Sequence, residues 1–249
     1  MKIDLHIHTS RYSRCSIVEP AQLIEMAVRR RLDAVVLTEH DAAWPAREMH
    51  DRLHDECLRC FTGIEVSGAD GHHYLVYGPE LGGFFSGMDP VTIDRQARLS
   101  GAAMVLAHPF RYTLVPPEHL AEVDLCAVEL SSTNMSGVRE RVLADRLIEA
   151  LGCAGVGGSD AHCPEAVGLH YTVVKRPVET TEQLVQALQA GEVEPMTAQA
   201  EGRWDDLVQA SHVRRIARAI RKGTREFEVI KGTTGAPAEL IEKMLSDCA

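Results

Sequence analysis

The sequence predicts an α/β protein of repeating strand–helix units, the organisation of a (β/α) barrel. Three observations carry that expectation. Short β-branched apolar runs alternate with longer stretches of helical period. The length of 249 residues is close to the roughly 250 that one such barrel uses. Histidines and acidic residues recur just after the apolar runs, where a barrel of parallel strands opens its C-terminal ends on one face.

Strands are expected at Lys2–His6, Asp33–Leu37, Arg59–Ile64, Tyr74–Tyr77, Ala103–Ala107, Leu125–Leu130, Cys153–Val156 and Tyr171–Val174. Between them, Pro20–Arg31 sets Leu23, Ile24, Ala27 and Val28 at helical spacing, with Pro20 suited to a first turn. Trp44–Leu58, Thr92–Ser100, Pro117–Val123, Gly137–Leu151 and Thr181–Ala190 are further helices. Tyr74–Tyr77 follows a short glycine-containing turn and reads as the second strand of a hairpin. Gly78–Pro90, with Phe84-Phe85, reads as a flap over a cleft. Val35, Val36, Leu37, Val105, Leu106, Val128 and Leu130 are expected to be buried.

The composition changes after Thr197, so residues 1–197 are read as the barrel and 198–249 as a helical extension packed on it. Within the extension, Trp204–Arg221 places Leu207, Val208, Val213, Ile216, Ala217 and Ile220 on one face. Arg214, Arg215, Arg218 and Arg221 surround that face. This reads as a docked helix with a solvated basic side, the alternative being contact with a membrane surface or an acidic partner. Ala238–Leu245 reads as a last short helix.

Charge and cysteine usage narrow the function classes. A net charge of −10 argues against a non-specific binder of long nucleic acid, which needs a basic face, but leaves room for a small anion held by local arginines. No apolar run approaches the roughly 18 residues of a membrane span, and Asp4 and His6 stand where a signal peptide needs its apolar core. Seven cysteines from Cys15 to Cys248 form no disulfide framework, and a reducing cytoplasm is the expected setting.

The chemistry lies among the 12 histidines. His6-Ile7-His8 ends the first strand, and strand alternation sends both imidazoles to one face. Later runs lead into Thr38-Glu39-His40-Asp41, Gly63-Ile64-Glu65, Ala107-His108-Pro109-Phe110-Arg111 and Gly158-Ser159-Asp160-Ala161-His162, while Gly71-His72-His73 opens the fourth strand. Imidazoles and carboxylates gathered at strand ends suit divalent zinc, manganese or iron. His50 and His54 lack the glutamate of a zincin motif and read as a solvated helix face. Cys57-Leu58-Arg59-Cys60 is a single pair, too little for a structural zinc site.

These motifs, in this order from Met1 to about Thr197, resemble the polymerase and histidinol phosphatase (PHP) family of metal-dependent phosphoesterases. The resemblance implies a distorted seven-stranded (β/α) barrel with two to three divalent ions. It implies His6, His8, Glu65 and Asp160 around one metal, and His40 and His162 at a second. Glu65 bridges to a third that His73 and His108 complete, with His72 as the alternative to His73. Many members place an Asp or His five or six residues after the second histidine, where this chain has Ser13 and Arg14. A guanidinium cannot ligate, and Cys15 substitutes only if the loop turns inward.

The function expected from this is hydrolysis of a small phosphate monoester or nucleotide phosphate by a metal-activated water. Arg11, Arg14 and Arg111 are candidates to hold the phosphate. Asp160 or His162 is the candidate proton donor to the leaving alkoxide, and Glu129 is expected to support ligands. The alternatives are an amidohydrolase-like metal hydrolase and a metal-binding interaction module without turnover.

Overall fold

The computed structural model describes residues 1–53, 55, 57–135, 137–198 and 204–246, with the backbone alone described over 204–211. His54 and Cys248 lie outside the described residues. Nine strands form one sheet: β1 Lys2–Ile7, β2 Ala34–Leu37, β3 Arg59–Ser67, β4 His73–Tyr77, β5 Ala103–Ala107, β6 Ala127–Ser131, β7 Ala154–Gly157, β8 His170–Val174 and β9 Val193–Thr197. Their order is β7-β6-β5-β4-β3-β2-β1-β8-β9. β1, β2 and β3 run parallel, as do β5, β6 and β7, while β4 lies antiparallel between β3 and β5. β8 is antiparallel to both β1 and β9.

The sheet curls until β7 meets β8. The Thr172 hydroxyl accepts the Gly157 N–H at 2.9 Å and donates to the Gly157 carbonyl at 2.8 Å, in place of ladder bonds. The result is a nearly closed barrel-like sheet of mixed strands. Nine strands replace the seven that the resemblance implied. The expected hairpin is present as β3–β4. β9 escaped the pattern because it is a short edge strand interrupted by Pro195.

Helices cover the sheet: α1 Pro20–Arg29, α2 Ala46–Leu53, α3 Pro90–Leu99, α4 Val138–Leu151, α5 Thr181–Gln189, α6 Trp204–Arg221, α7 Phe227–Thr234 and α8 Ala238–Ser246. α1 starts at Pro20 behind a reciprocal cap between Glu19 and Gln22, and buries Leu23 and Ala27 while Val28 is exposed. The stretch Pro117–Val123 holds only a 3-10 turn, Glu118–Ala121. Six of the seven strand residues expected in the core are buried; Leu130 is half-buried.

One apolar cluster joins Val36, Phe61, Leu75, Val105 and Val156 of five strands to Leu184 and Leu188 of α5. A second joins Val213, Ile216, Ala217 and Ile220 of α6 to Leu23 of α1 and to Ala166. The C-terminal helices thus share a core with the helical layer of the barrel. Gly78–Pro90 borders a cleft, but one apart from the histidine cluster. Pro79–Phe84 lines a groove beside Thr62 and Ile64 of β3, and Phe84 is buried in the core around α3. Among the described residues no helix is long and apolar enough to cross a membrane.

Candidate metal centre

Strand alternation builds the site. On β3, the face that carries Phe61 continues through Gly63 to Glu65; on β4, Tyr77 and Leu75 lead to His73; on β6, Ala127 leads to Glu129. Each strand contributes apolar packing at one end and an ionisable group at the mouth. His8, His40, His108 and Asp160 follow the ends of β1, β2, β5 and β7. Asp41, His108 and Asp160 have positive φ (53°, 26° and 49°), a conformation costing about 1–3 kcal/mol unless its surroundings hold it. For His108 the holding contact is its N–H, which donates to Glu129 Oε2 at 2.8 Å.

Glu65 is the hub. Its Oε1 lies 2.7 Å from His73 Nδ1, 3.0 Å from His108 Nε2 and 3.5 Å from His6 Nε2. Its Oε2 lies 2.7 Å from His40 Nδ1 and 3.3 Å from His8 Nε2. Asp160 Oδ1 is 3.1 Å from His8 Nε2 and 3.5 Å from both His6 Nε2 and His162 Nδ1. His8, His40 and His162 also come together as a possible ligand trio, as do His40, Glu65 and His73. All eight residues that the resemblance implied as ligands therefore converge. Between the two neighbouring histidines, His73 is the one that faces Glu65; His72 turns to Asp70, 3.2 Å away.

The donor set fits divalent metal ions. His6 Nε2 and His8 Nε2 face each other at 3.0 Å, and two imidazole lone pairs so placed need a cation or proton between them. His6 Nδ1 is engaged by Glu129 Oε1 at 3.1 Å, which turns Nε2 inward, as a carboxylate behind a ligating histidine does. Both Asp160 oxygens and His162 Nε2 are buried without a hydrogen bond of good geometry, while Glu65 Oε2 has His40 Nδ1 at 2.7 Å. Such orphaned buried groups are costly unless an ion satisfies them.

The electrostatics agree with two anionic hubs. Burial pushes the Glu65 carboxyl upward, but His73, His40 and His6 hold it well below the usual range. Burial opposes ionisation of Asp160 too, and His6, His8 and His162 outweigh it. Burial pushes His108 down to about 3, leaving it a neutral donor of a lone pair.

The loop after β1 turns Ser13 and Cys15 toward the cluster. Ser13 Oγ donates to Glu39 Oε2 at 2.5 Å and accepts the His40 N–H at 3.1 Å, so it orients rather than ligates. Cys15 does turn inward: it is buried, and His40 and His162 hold its thiol well below its usual range against the upward push of burial. Glu39, which the sequence reading passed over, anchors this loop by accepting from Thr9, Ser13 and, at 2.7 Å, Trp44 Nε1. Its one signal was its place between Thr38 and His40 at a strand end.

The arginines divide. Arg11 is turned away, its Nε 2.7 Å from Glu48 Oε1 and its side chain 46% exposed, which removes it from the phosphate-binding set. The loop folds this way because Tyr12 also donates to Glu48. Arg111 lies 3.6 Å from Asp160 Oδ2 with its guanidinium over the Tyr112 ring. Arg14 lines the cavity beside His40. His50 is exposed on α2.

A family model described as PHP-associated matches residues 139–193, a segment that contains Asp160 and His162. The fold is shared with PsfC from Pseudomonas syringae PB-5123 (TM-score 0.64, 18% identity, 89% of this chain and 98% of that one). It is shared with a two-domain protein from Bacteroides vulgatus ATCC 8482 containing a predicted PHP-like metal-dependent phosphoesterase (TM-score 0.59, 20% identity, 85% and 70%). Together these findings show similarity to a PHP-associated segment in sequence and to a PHP-like protein in fold. An amidohydrolase from Chromobacterium violaceum, with bound sulfate and no metal, has a similar fold at TM-score 0.56 (16% identity, 81% and 100%). No curated protein matches the sequence.

Proposed function

We propose that this PHP-type site is the divalent-metal centre of a phosphoesterase acting on a small phosphorylated substrate. The carrying observation is the convergence of six imidazoles on two buried carboxylates, Glu65 and Asp160, with both Asp160 oxygens left without a hydrogen bond of good geometry. His6, His8, Glu65 and Asp160 would hold one ion, His40 and His162 a second, and Glu65, His73 and His108 a third. Zinc, manganese or iron bound there supplies neutralisation of the phosphate charge and a water of lowered pKa.

The chain's own groups do the rest. Glu129 fixes His6, and Glu39 with Ser13 fixes the His8–His40 side, so the ligands keep their geometry without substrate. Arg111, set beside Asp160, presents a fork of donors to a phosphate oxygen. His162 Nδ1 faces the Asp160 carbonyl at 3.0 Å, which orients the ring with Nε2 as the nitrogen free to ligate. Both groups serve as ligands in this reading, and Asp160, held as the carboxylate, has no proton for the leaving alkoxide, which leaves His162 as the candidate donor.

Asp160→Asn keeps the shape and removes the charge. The variant is expected to lose metal and at least about a hundredfold in kcat/KM, since even groups behind a ligand are worth 10–100-fold. The measurement is a screen of metal-loaded protein over sugar phosphates, amino-alcohol phosphates, nucleotides, short oligonucleotides and cyclic amides. Turnover that survives unchanged in Asp160→Asn removes this cluster from the chemistry, and turnover of amides alone moves the protein to another hydrolase class.

A further inference from the structure

The ligand cluster opens into a cavity of about 760 Å³, within the size range of small-molecule sites. Five cations line it: Arg14 on the loop after β1, Arg218 and Arg221 in the last turn of α6, and Lys222 and Arg225 just beyond. The one acidic lining residue, Asp41, has both oxygens engaged by Ser67, at 2.8 and 2.9 Å. In a chain of net charge −10, such a concentration of positive charge needs a cause. The helix macrodipole favours cations at the C-terminus of α6, but it does not account for Arg14 on another element facing the same space. Among the described residues, no carboxylate lies within ion-pairing distance of Arg218, Arg221, Lys222 or Arg225, although the charge of Arg221 is favoured by Cys15, Glu65 and Asp160 nearby.

The basic wall is continuous with the cluster. Arg221 Nη1 lies 3.3 Å from His40 Nε2. Arg218 sits over the Tyr112 ring, which is also faced by Arg111, itself beside Asp160. The basic side of α6 is therefore not simply solvated; its last turn closes one side of the cavity, held there by Val213, Ile216, Ala217 and Ile220 in the core. A single scissile phosphate needs the ions and Arg111. It leaves Lys222 and Arg225, just past the end of α6, without a role.

We infer that this wall is a second anion subsite, so that the preferred substrate is a small phosphate ester carrying a second, multiply charged anionic group. The inference rests on the phosphoesterase reading for which phosphate is cleaved, but the subsite can be probed without turnover. Inorganic pyrophosphate and inorganic phosphate are titrated calorimetrically into the full chain without added metal, and into Lys222→Ala/Arg225→Ala after circular dichroism confirms its fold. Pyrophosphate is expected to bind the unaltered protein at least about tenfold more tightly than phosphate, and the double variant to lose about tenfold of that affinity, given the strength of charge-assisted contacts. In metal-loaded protein, the kcat/KM ratio of a sugar bisphosphate to the matching monophosphate is expected to fall by a similar factor in the variant. Equal binding of the two anions, or a variant that binds pyrophosphate like the unaltered protein, overturns the subsite whatever the turnover. Selective pyrophosphate binding without hydrolysis of any ester upholds the subsite and rejects the phosphoesterase reading instead.

Discussion

Glu65→Gln is expected to be among the most damaging substitutions in the chain. The carboxylate touches His6, His8, His40, His73 and His108 within 3.5 Å, so no other single group faces as many candidate ligands. Gln keeps the volume but replaces an anion by a neutral amide whose NH₂ is a donor aimed at imidazole nitrogens that must offer lone pairs. Metal content should fall at more than one site at once, and kcat/KM by well over the roughly hundredfold of a group behind a ligand. The thermal stabilisation given by metal should disappear as well, because saturating an ion at 100 times its Kd stabilises the native state by about 2.7 kcal/mol. Elemental analysis and melting curves with and without added metal check this. A variant with full metal content and an unchanged melting shift would deny Glu65 its central role.

Gly158→Ala comes next, through packing rather than charge. A Cβ there would stand 2.5 Å from His6 Cβ, 2.9 Å from the His6 amide nitrogen and 3.0 Å from Glu129 Oε1. The backbone atoms of β1 cannot give way as a flexible side chain would. Either the stretch after β7 separates from β1, or His6 and Glu129 move together and the inward aim of Nε2 is lost. Overpacking of this kind costs about 1–3 kcal/mol, and a displacement near 1 Å at a reacting centre can cost on the order of a hundredfold in rate. Calorimetric melting and kcat/KM measured together should show both losses. An Ala variant with the parent's melting point and rate would mean that the contact between β1 and the end of β7 is looser than these distances require.

Much of this was legible in the chain before folding. Local periodicity marks the strands and helices because each buries one face, and that is why Val36, Val105 and Val128 could be placed in the core from the run they sit in. The ligand groups were legible because a strand end is a local feature: His6-Ile7-His8 and Ser159-Asp160-Ala161-His162 announce themselves within five residues. Long-range features were not. β9 pairs only through its edge with β8 and carries Pro195, so neither alternation nor composition marks it. α7, Phe227–Thr234, was missed because its apolar face is narrow, with Ile230 and Thr234 the buried positions.

The arginines show the same limit more sharply. Arg11 and Arg111 both follow a histidine-bearing strand end, yet one pairs with Glu48 of α2 and the other with Asp160 after β7. Which partner each finds depends on how the helical layer packs, and the sequence around them is silent on that. Arg218 and Arg221, about 180 residues from His40, reach its cavity only because four apolar residues of α6 dock it against α1 and the turn at Pro164–Ala166. A basic helical face read alone is indistinguishable from a solvated one.

The most direct test is elemental analysis of the full chain after reconstitution with zinc, manganese or iron and removal of unbound metal, with phosphate-ester hydrolysis measured on the same samples. A centre built on Glu65 and Asp160 requires two to three equivalents of one of these metals, with hydrolysis that rises and falls with occupancy. Less than one equivalent, or hydrolysis indifferent to metal content, would contradict it.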